Sequence, residues 1–360
     1  MSPEALTREQ VARSGAAIEG MQEPDGAIPW TTGQHTDVWN HVESAMGLLV
    51  ADRHDAVEAA WGWVRRTQRR DGSWAMKYVA GEVEDASGET NMAAYVAVGV
   101  WHHWLVRRDR AFVRVLWPTV RRALDFTCRL QLPFGGIAWS QEWSASGPAA
   151  VNGGALLAGS SSVHHSLRAG LSLAELLDDP QPDWELAAGR LGHAVREHRD
   201  GFMDKSTFSM DWYYPVLGGA VRGPAGHDLI RSRWDEFVVP GLGVRCVDTN
   251  PWVTGAETCE LVMALEALGD RERALRLFAD VQHLRDPGGG YWTGYVYPDD
   301  VNWPAEHTTY TAAAVLLAHD ALTDTTAGAD LARGTTLVAD PEPLALECGC
   351  ASADSLAGRS

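Results

Sequence analysis

Apolar and polar positions along this chain alternate between two kinds of helical period. "DAVEAAWGWVRRT" (55–67) is amphipathic, with its charges gathered on one face. "NMAAYVAVGVWHHWL" (91–105) is apolar nearly all the way round, the mark of a buried helix. Between them stands "QRRDGSW" (68–74), a Gly turn followed by a Trp that can fold back over the helix end. The same shape returns as "QEPDGAIPW" (22–30), "QLPFGGIAW" (131–139) and "QHLRDPGGGYW" (282–292).

The order amphipathic helix, loop, apolar helix repeats along the chain. Residues 4–22 lead to 37–51, 54–69 to 90–106, 117–131 to 158–177, 183–199 to 211–220, 226–237 to 256–268, and 270–284 to 308–322. Pro118 suits a first helical turn. No strand-rich region stands out. The long loops all follow outer helices, so they gather on one side, as functional rim loops do. Helix pairs that each expose an apolar face must close on themselves or be capped. The pattern therefore predicts an all-α fold, an (α/α)6 toroid over residues 1–323 with an inner and an outer ring. Residues 324–360 are rich in Ala, Gly, Ser, Thr and Asp without sustained period, and read as a loosely packed tail. It includes a "CGC" at 348–350, a weak metal signal.

Composition narrows the partners. With 30 Lys+Arg against 48 Asp+Glu the formal net charge is −18, which repels nucleic acid and anionic membrane. No apolar run approaches the roughly 20 residues of a membrane span. A polar start, "MSPEALTREQ", and five scattered Cys fit a cytoplasmic protein with reduced thiols. Sixteen Trp is high for 360 residues and points to flat contact surfaces, the kind that a small-molecule or glycan substrate stacks on. No nucleotide-binding glycine pattern follows a strand, so no cofactor of that type is expected.

Polar residues stand where the inner helices begin: "HTD" (35–37), "ETN" (89–91), "SSS" (160–162), "MDW" (210–212), "AET" (256–258) and "EHTT" (306–309). Most are accounted for as helix caps. Six such ends converging on one cavity also make a binding site. Glu142 in "IAWSQEW" and Asp299, Asp300 and Glu306 in "GYVYPDDVNWPAEH" lie in aromatic loops without a capping role. A carboxyl beside Trp can act as a general acid, and a second one about 6.5–9.5 Å away can activate water, which is inverting glycoside hydrolysis. Trp39, Trp139, Trp292 and the group Asp211, Trp212 and Tyr213 are candidate pocket walls.

Residues 100–139, "VWHHWLVRRDRAFVRVLWPTVRRALDFTCRLQLPFGGIAW", resemble the six-hairpin glycosidases of glucoamylase-like type, although Arg108 stands where Gly is common. That resemblance implies a general acid in the loop after the fifth helix, where Glu142 stands. It implies a base in the loop before the twelfth, among Asp299, Asp300 and Glu306. It also implies a sugar-binding Asp at the second helix, matched by Asp37 in "HTDVWNH". No paired "WEE" follows the fifth helix, and no Arg adjoins Asp37. "AWGWVRRTQRRDGSW" resembles the Gln-Trp repeat of terpenoid cyclases and protein prenyltransferase β subunits, which share the ring. That implies isoprenoid handling and, in the farnesyltransferase-like case, a zinc site for which Glu257, Cys259 and His307 are the available residues. Three readings stay open: glycoside hydrolase, isoprenoid-handling toroid, and non-catalytic binder of glycan or lipid.

Overall fold

The computed structural model describes residues 5–341. Outer and inner helices alternate as the periodicity predicts. The outer helices are α1 (Arg8–Glu19), α3 (His54–Thr67), α6 (Arg110–Cys128), α8 (Pro182–Glu197), α10 (Gly223–Ser232) with a short α11 (Trp234–Phe237), and α13 (Arg271–Asp280). The inner ones are α2 (Val38–Val50), α4 (Thr90–Ala94) continued as α5 (Val96–Arg107), α7 (Leu157–Leu177), α9 (Ser209–Leu217), α12 (Gly255–Leu268) and α14 (Thr309–Thr323). Inner helices touch in cyclic order, α2 to α5, α7, α9, α12, α14 and back to α2, so the ring is closed. Close approach at the α2–α14 seam needs a bare backbone: a Cβ on Gly47 would sit 2.9 Å from Ala313 Cα. This is an (α/α)6 toroid.

Each inner helix ends at or just before a left-handed residue: Asp52, Arg108, Asp178, Gly219, Gly269 and Asp324 all have positive φ. Arg108, the residue that departs from glycosidase usage, is one of them, with φ 52°. The Gly turns serve a different joint. Gln22, Gln68 and Gln131 each donate from Nε2 to the carbonyl of their own turn glycine, at 3.1, 3.1 and 2.9 Å. Each also donates to a carbonyl in the next outer helix: Ala56 at 2.9 Å, Thr119 at 2.9 Å and Ala187 at 3.0 Å. The glycines press on the same helices, so the repeat is the hinge pin between successive hairpins. Gly289 repeats the contact against Arg13 of α1, across the seam. Trp74 does fold back, donating from Nε1 to Val64 in α3 at 3.0 Å. The feature that resembles the terpenoid cyclases therefore has a structural reason independent of substrate.

Three expectations are corrected. Helix α6 starts at Arg110, capped by Asp109 on Ala111 and Phe112, so Pro118 lies inside it. Pro118 is exposed, which leaves the carbonyl it strips of a partner free to meet water. Second, the rim loops hold sheets. β1 (Lys77–Val79) pairs with β2 (Glu82–Asp85). β3 (Gly88–Glu89), β4 (Ala138–Ser144) and β5 (Gly147–Ala155) form a three-stranded sheet. β6 (Val238–Val239), β7 (Gly243–Arg245), β8 (Trp252–Thr254), β9 (Gly294–Val296) and β10 (Val301–Asn302) form an antiparallel five-stranded one.

Third, residues 324–341 are packed against the ring, with a short helix α15 (Asp330–Arg333). Asp320 accepts from Thr326 N and Oγ1 at 2.7 and 2.6 Å. Arg168 donates to the Val338 carbonyl at 3.1 and 2.8 Å, and Asp340 meets His164 and Arg196 at 2.8 Å each. This segment floors the ring at the C-terminal ends of the inner helices, opposite the rim loops. The remainder of the expected tail, with Cys348 and Cys350, lies outside the described residues. Among the described residues no helix is long and apolar enough to cross a membrane.

Candidate active site

The inner helices begin at the rim end, and their first residues carry the acid groups. Asp37 caps α2, accepting from Asn40 N at 2.9 Å, and Glu89 caps α4, accepting from Met92 N at 2.5 Å. Both carboxyls are buried, 3% and 8% exposed. Burial pushes Glu89 up to about 8 against the pull of the Met92 and Asn91 N–H groups, and the neighbouring Asp37 adds to the rise. Burial likewise raises Asp37. Asp211, in the first turn of α9, accepts from Ala158 N at 3.1 Å and is pushed up to about 6 by burial. Glu257, in the first turn of α12, is half-buried and hydrogen-bonded by the Cys246 thiol. By the cyclic order of the helices, Glu89 and Glu257 stand on opposite sides of the ring, as do Asp37 and Asp211.

Aromatic rings fill the space between these acids. Trp39 stacks on Tyr95 at 4.2 Å between centroids and leans on Tyr214 at 6.3 Å. Half-buried Trp30 stacks on Tyr310 at 5.8 Å and on His35 at 6.0 Å, and donates from Nε1 to Glu306 Oε1 at 2.7 Å. Deeper along α2 and α12 lie two further carboxyls, Glu43 and Glu260, each 1% exposed. Glu260 accepts the hydroxyls of Tyr214 at 2.6 Å and Tyr310 at 2.8 Å on Oε1, and that of Tyr213 on Oε2. Burial and the Glu257 charge push Glu260 up to about 7, and the three phenols pull it back. Glu43 accepts from Tyr95 at 3.1 Å and is held well above the usual carboxylate range by burial and by Glu260.

The structure brings together Asp37, Asp211, Glu257 and Glu306 at the helix starts. It does not gather the rest of the expected set. Glu142 lies exposed on β4, where a bulge between Gln141 and Trp143 breaks the strand's alternation. Asp299 and Asp300 lie exposed between β9 and β10, on a different sheet; Asp300 accepts from Tyr295 at 2.7 Å. Trp139 and Trp292 are half-buried at the rim, the latter on His307 with centroids 4.0 Å apart. Trp39 is 7% exposed and backs the wall rather than offering a face. Trp212 is core: it stacks on Phe237 at 5.2 Å and donates to Leu229 O at 2.9 Å. Tyr213, 0% exposed, points at Glu260 below the cavity surface.

The zinc set is not assembled either. Cys259 is fully buried, and burial with Glu260 beside it pushes its thiol well up, away from the thiolate that a metal takes. Among the described residues no group of three His, Cys, Asp or Glu could hold a metal ion. Glu43, Glu89 and Glu260, all buried here, are not among the residues that the sequence alone singles out. Glu89 was visible in "ETN" but indistinguishable from a cap, which it also is. Glu43 and Glu260 were visible as acids inside otherwise apolar helices, a costly placement that asks for partners.

The ring is similar to that of a solved glycosidase at a TM-score of 0.68, with 15% identity, covering 88% of this chain and 96% of that one. It is also similar to a GH63 mannosylglycerate hydrolase from Thermus thermophilus, at 0.64 with 14% identity, covering 86% and 99%. At such identities these likenesses show the fold. No family model matches the chain. Fold, acid-lined mouth and sequence kinship together define a glycoside hydrolase of the (α/α)6 class. More particularly, the chain belongs to the family of the MMP endo-(1,4)-3-O-methyl-alpha-D-mannosidase of Mycolicibacterium hassiacum. The two are 52% identical over 353 residues, 98% of this chain and 96% of that one.

Proposed function

We propose that this protein cleaves internal α-(1,4) linkages of a 3-O-methylmannoside chain with inversion, using Glu89 as general acid and Glu257 as general base. The observation that carries the substrate is the 52% identity, spread over nearly the whole of both chains, to an enzyme of that name. The site is consistent with it. A methyl ether replaces a hydroxyl that would need a hydrogen-bond partner with an apolar group, and Trp30 backed by Tyr310 offers an apolar wall. Glu89 holds its proton at neutral pH because burial and Asp37 oppose its ionisation. Glu257 stands on the opposite helix, leaving the intervening space for sugar and water. Asp37 and Asp211 are left to hold sugar hydroxyls, and Glu306 to fix Trp30.

The test is incubation of purified protein with α-(1,4)-linked oligosaccharides, 3-O-methylated or unmethylated, with products sized by mass and their anomer followed by proton NMR. Internal cleavage of the methylated chain with a β-configured initial product is expected. Exclusive release of single terminal sugars, an α-configured product, or preference for the unmethylated chain overturns the corresponding part.

A further inference from the structure

The buried Glu260 has no place in the proton transfers proposed above, yet its surroundings are elaborate. It sits one turn into α12 and accepts three phenol hydroxyls, from Tyr213 and Tyr214 on α9 and Tyr310 on α14. Removing an acid from water is costly, and an apolar residue would pack this spot at less expense. Two of the three phenols continue directly into the mouth. The Tyr310 ring is stacked beneath Trp30 at 5.8 Å with planes 28° apart. The Tyr214 ring, on α9, leans on Trp39 of α2 at 6.3 Å. A tyrosine ring held at its hydroxyl cannot slide or rotate away from a neighbour stacked on it, so the carboxylate sets the ring positions at both tryptophans. Glu43 acts in parallel on Tyr95, the other neighbour of Trp39.

We infer that Glu260 is the positioning residue for substrate binding: by tethering Tyr310 it fixes Trp30, the face against which the sugar chain packs, and by tethering Tyr214 it fixes Trp39, which backs that wall. It touches no substrate itself. This inference rests on the glycan-cleaving reading of the mouth, but not on which sugar is cleaved.

The experiment compares Glu260→Leu, Glu260→Gln, Tyr310→Phe and Tyr214→Phe in steady-state cleavage of the 3-O-methylmannoside oligosaccharide. A positioning role predicts that Glu260→Leu raises KM on the order of 10-fold or more while kcat changes less than about 3-fold, since binding contacts and not the reacting groups are disturbed. Glu260→Gln keeps an acceptor oxygen for two phenols and should restore KM to within about 3-fold of wild type. Each Tyr→Phe change should raise KM in the wild-type background and add nothing in Glu260→Leu, because their effect runs through the same bond. An unchanged KM in folded Glu260→Leu, or additive effects in the cycle, overturns the inference. If Glu260→Leu does not fold, the Gln variant combined with each Tyr→Phe change gives the same cycle. If wild type cleaves no mannoside, the functional reading fails. The crystal structure of Glu260→Gln or Glu260→Leu then decides: unmoved Trp30 and Trp39 rings overturn the tether, displaced ones sustain it.

Discussion

Glu89→Gln is expected to lose about 100- to 10,000-fold of glycoside cleavage, the usual worth of a positioned general acid, while the protein stays folded. Gln fills the same space and can still accept the Met92 N–H, but it carries no proton to give. The wild-type rate should fall on the alkaline side near pH 8, where Glu89 ionises, and the residual rate of the variant should lack that limb. Stability should move the other way. The folded-state value of about 8 lies above the ordinary 4.5, so the folded protein binds the extra proton between those values. Stability from this group is therefore fully present below about pH 4.5 and is lost as pH rises through 8. Glu89→Gln escapes that loss, and its advantage over wild type should grow over this window toward a ceiling of about 5 kcal/mol. Urea unfolding at pH 5 and pH 9 measures it. A variant that is fully active, or one whose relative stability is flat with pH, removes Glu89 from the role.

Gly72→Ala should be the most damaging single change among the hinge glycines. Its Cβ would lie 1.9 Å from the Arg122 carbonyl oxygen, and its φ of +101° is one that L side chains rarely adopt. Backbone meets backbone there, so no rotamer change relieves the clash, and a loss above about 4 kcal/mol is expected. The series should be graded by contact: Gly26 at 2.2 Å from Ala59 O, Gly289 at 2.5 Å from Arg13 C, Gly135 at 2.7 Å from Arg190 O. Gly81, with φ +79° and nothing within 4 Å, isolates the backbone cost alone and should lose only about 1–2 kcal/mol as Ala. Thermal or urea unfolding of the five variants checks the order; equal losses at Gly72 and Gly81 would show that the hinge contact is not what the glycines serve.

The ring was legible because helical period is a local signal that burial amplifies: inner helices such as 309–323 are apolar on every face. The Gly turns were legible as turns, but their partners, Thr119 or Ala187, are more than fifty residues distant and leave no local mark. The rim strands were missed because most are two or three residues long, too short for alternation to register. Residues 324–341 show no period because they are held by arginines reaching from other helices, Arg168, Arg196 and Arg222. Site residues were legible as positions and not as roles. Glu89 reads as a helix cap and Glu142 as an acid in an aromatic loop, and burial, which no local pattern records, is what reverses their standing. Trp212 and Tyr213 follow Asp211 directly, yet a helix turns about 100° per residue, and that rotation carries them from the mouth into the core.

The contact of Gly289 with Arg13 turns a row of repeats into a hoop. A linear array of repeats frays from its ends, because the terminal unit has a neighbour on one side only. Here α14 touches α2 and the last turn is pinned to α1, so every hairpin has two neighbours and none is the place where unravelling starts. A protease cut at the exposed Asp299–Asp300 tip would open a rim loop without opening the hoop. The two fragments should remain clasped under native conditions and part only in denaturant.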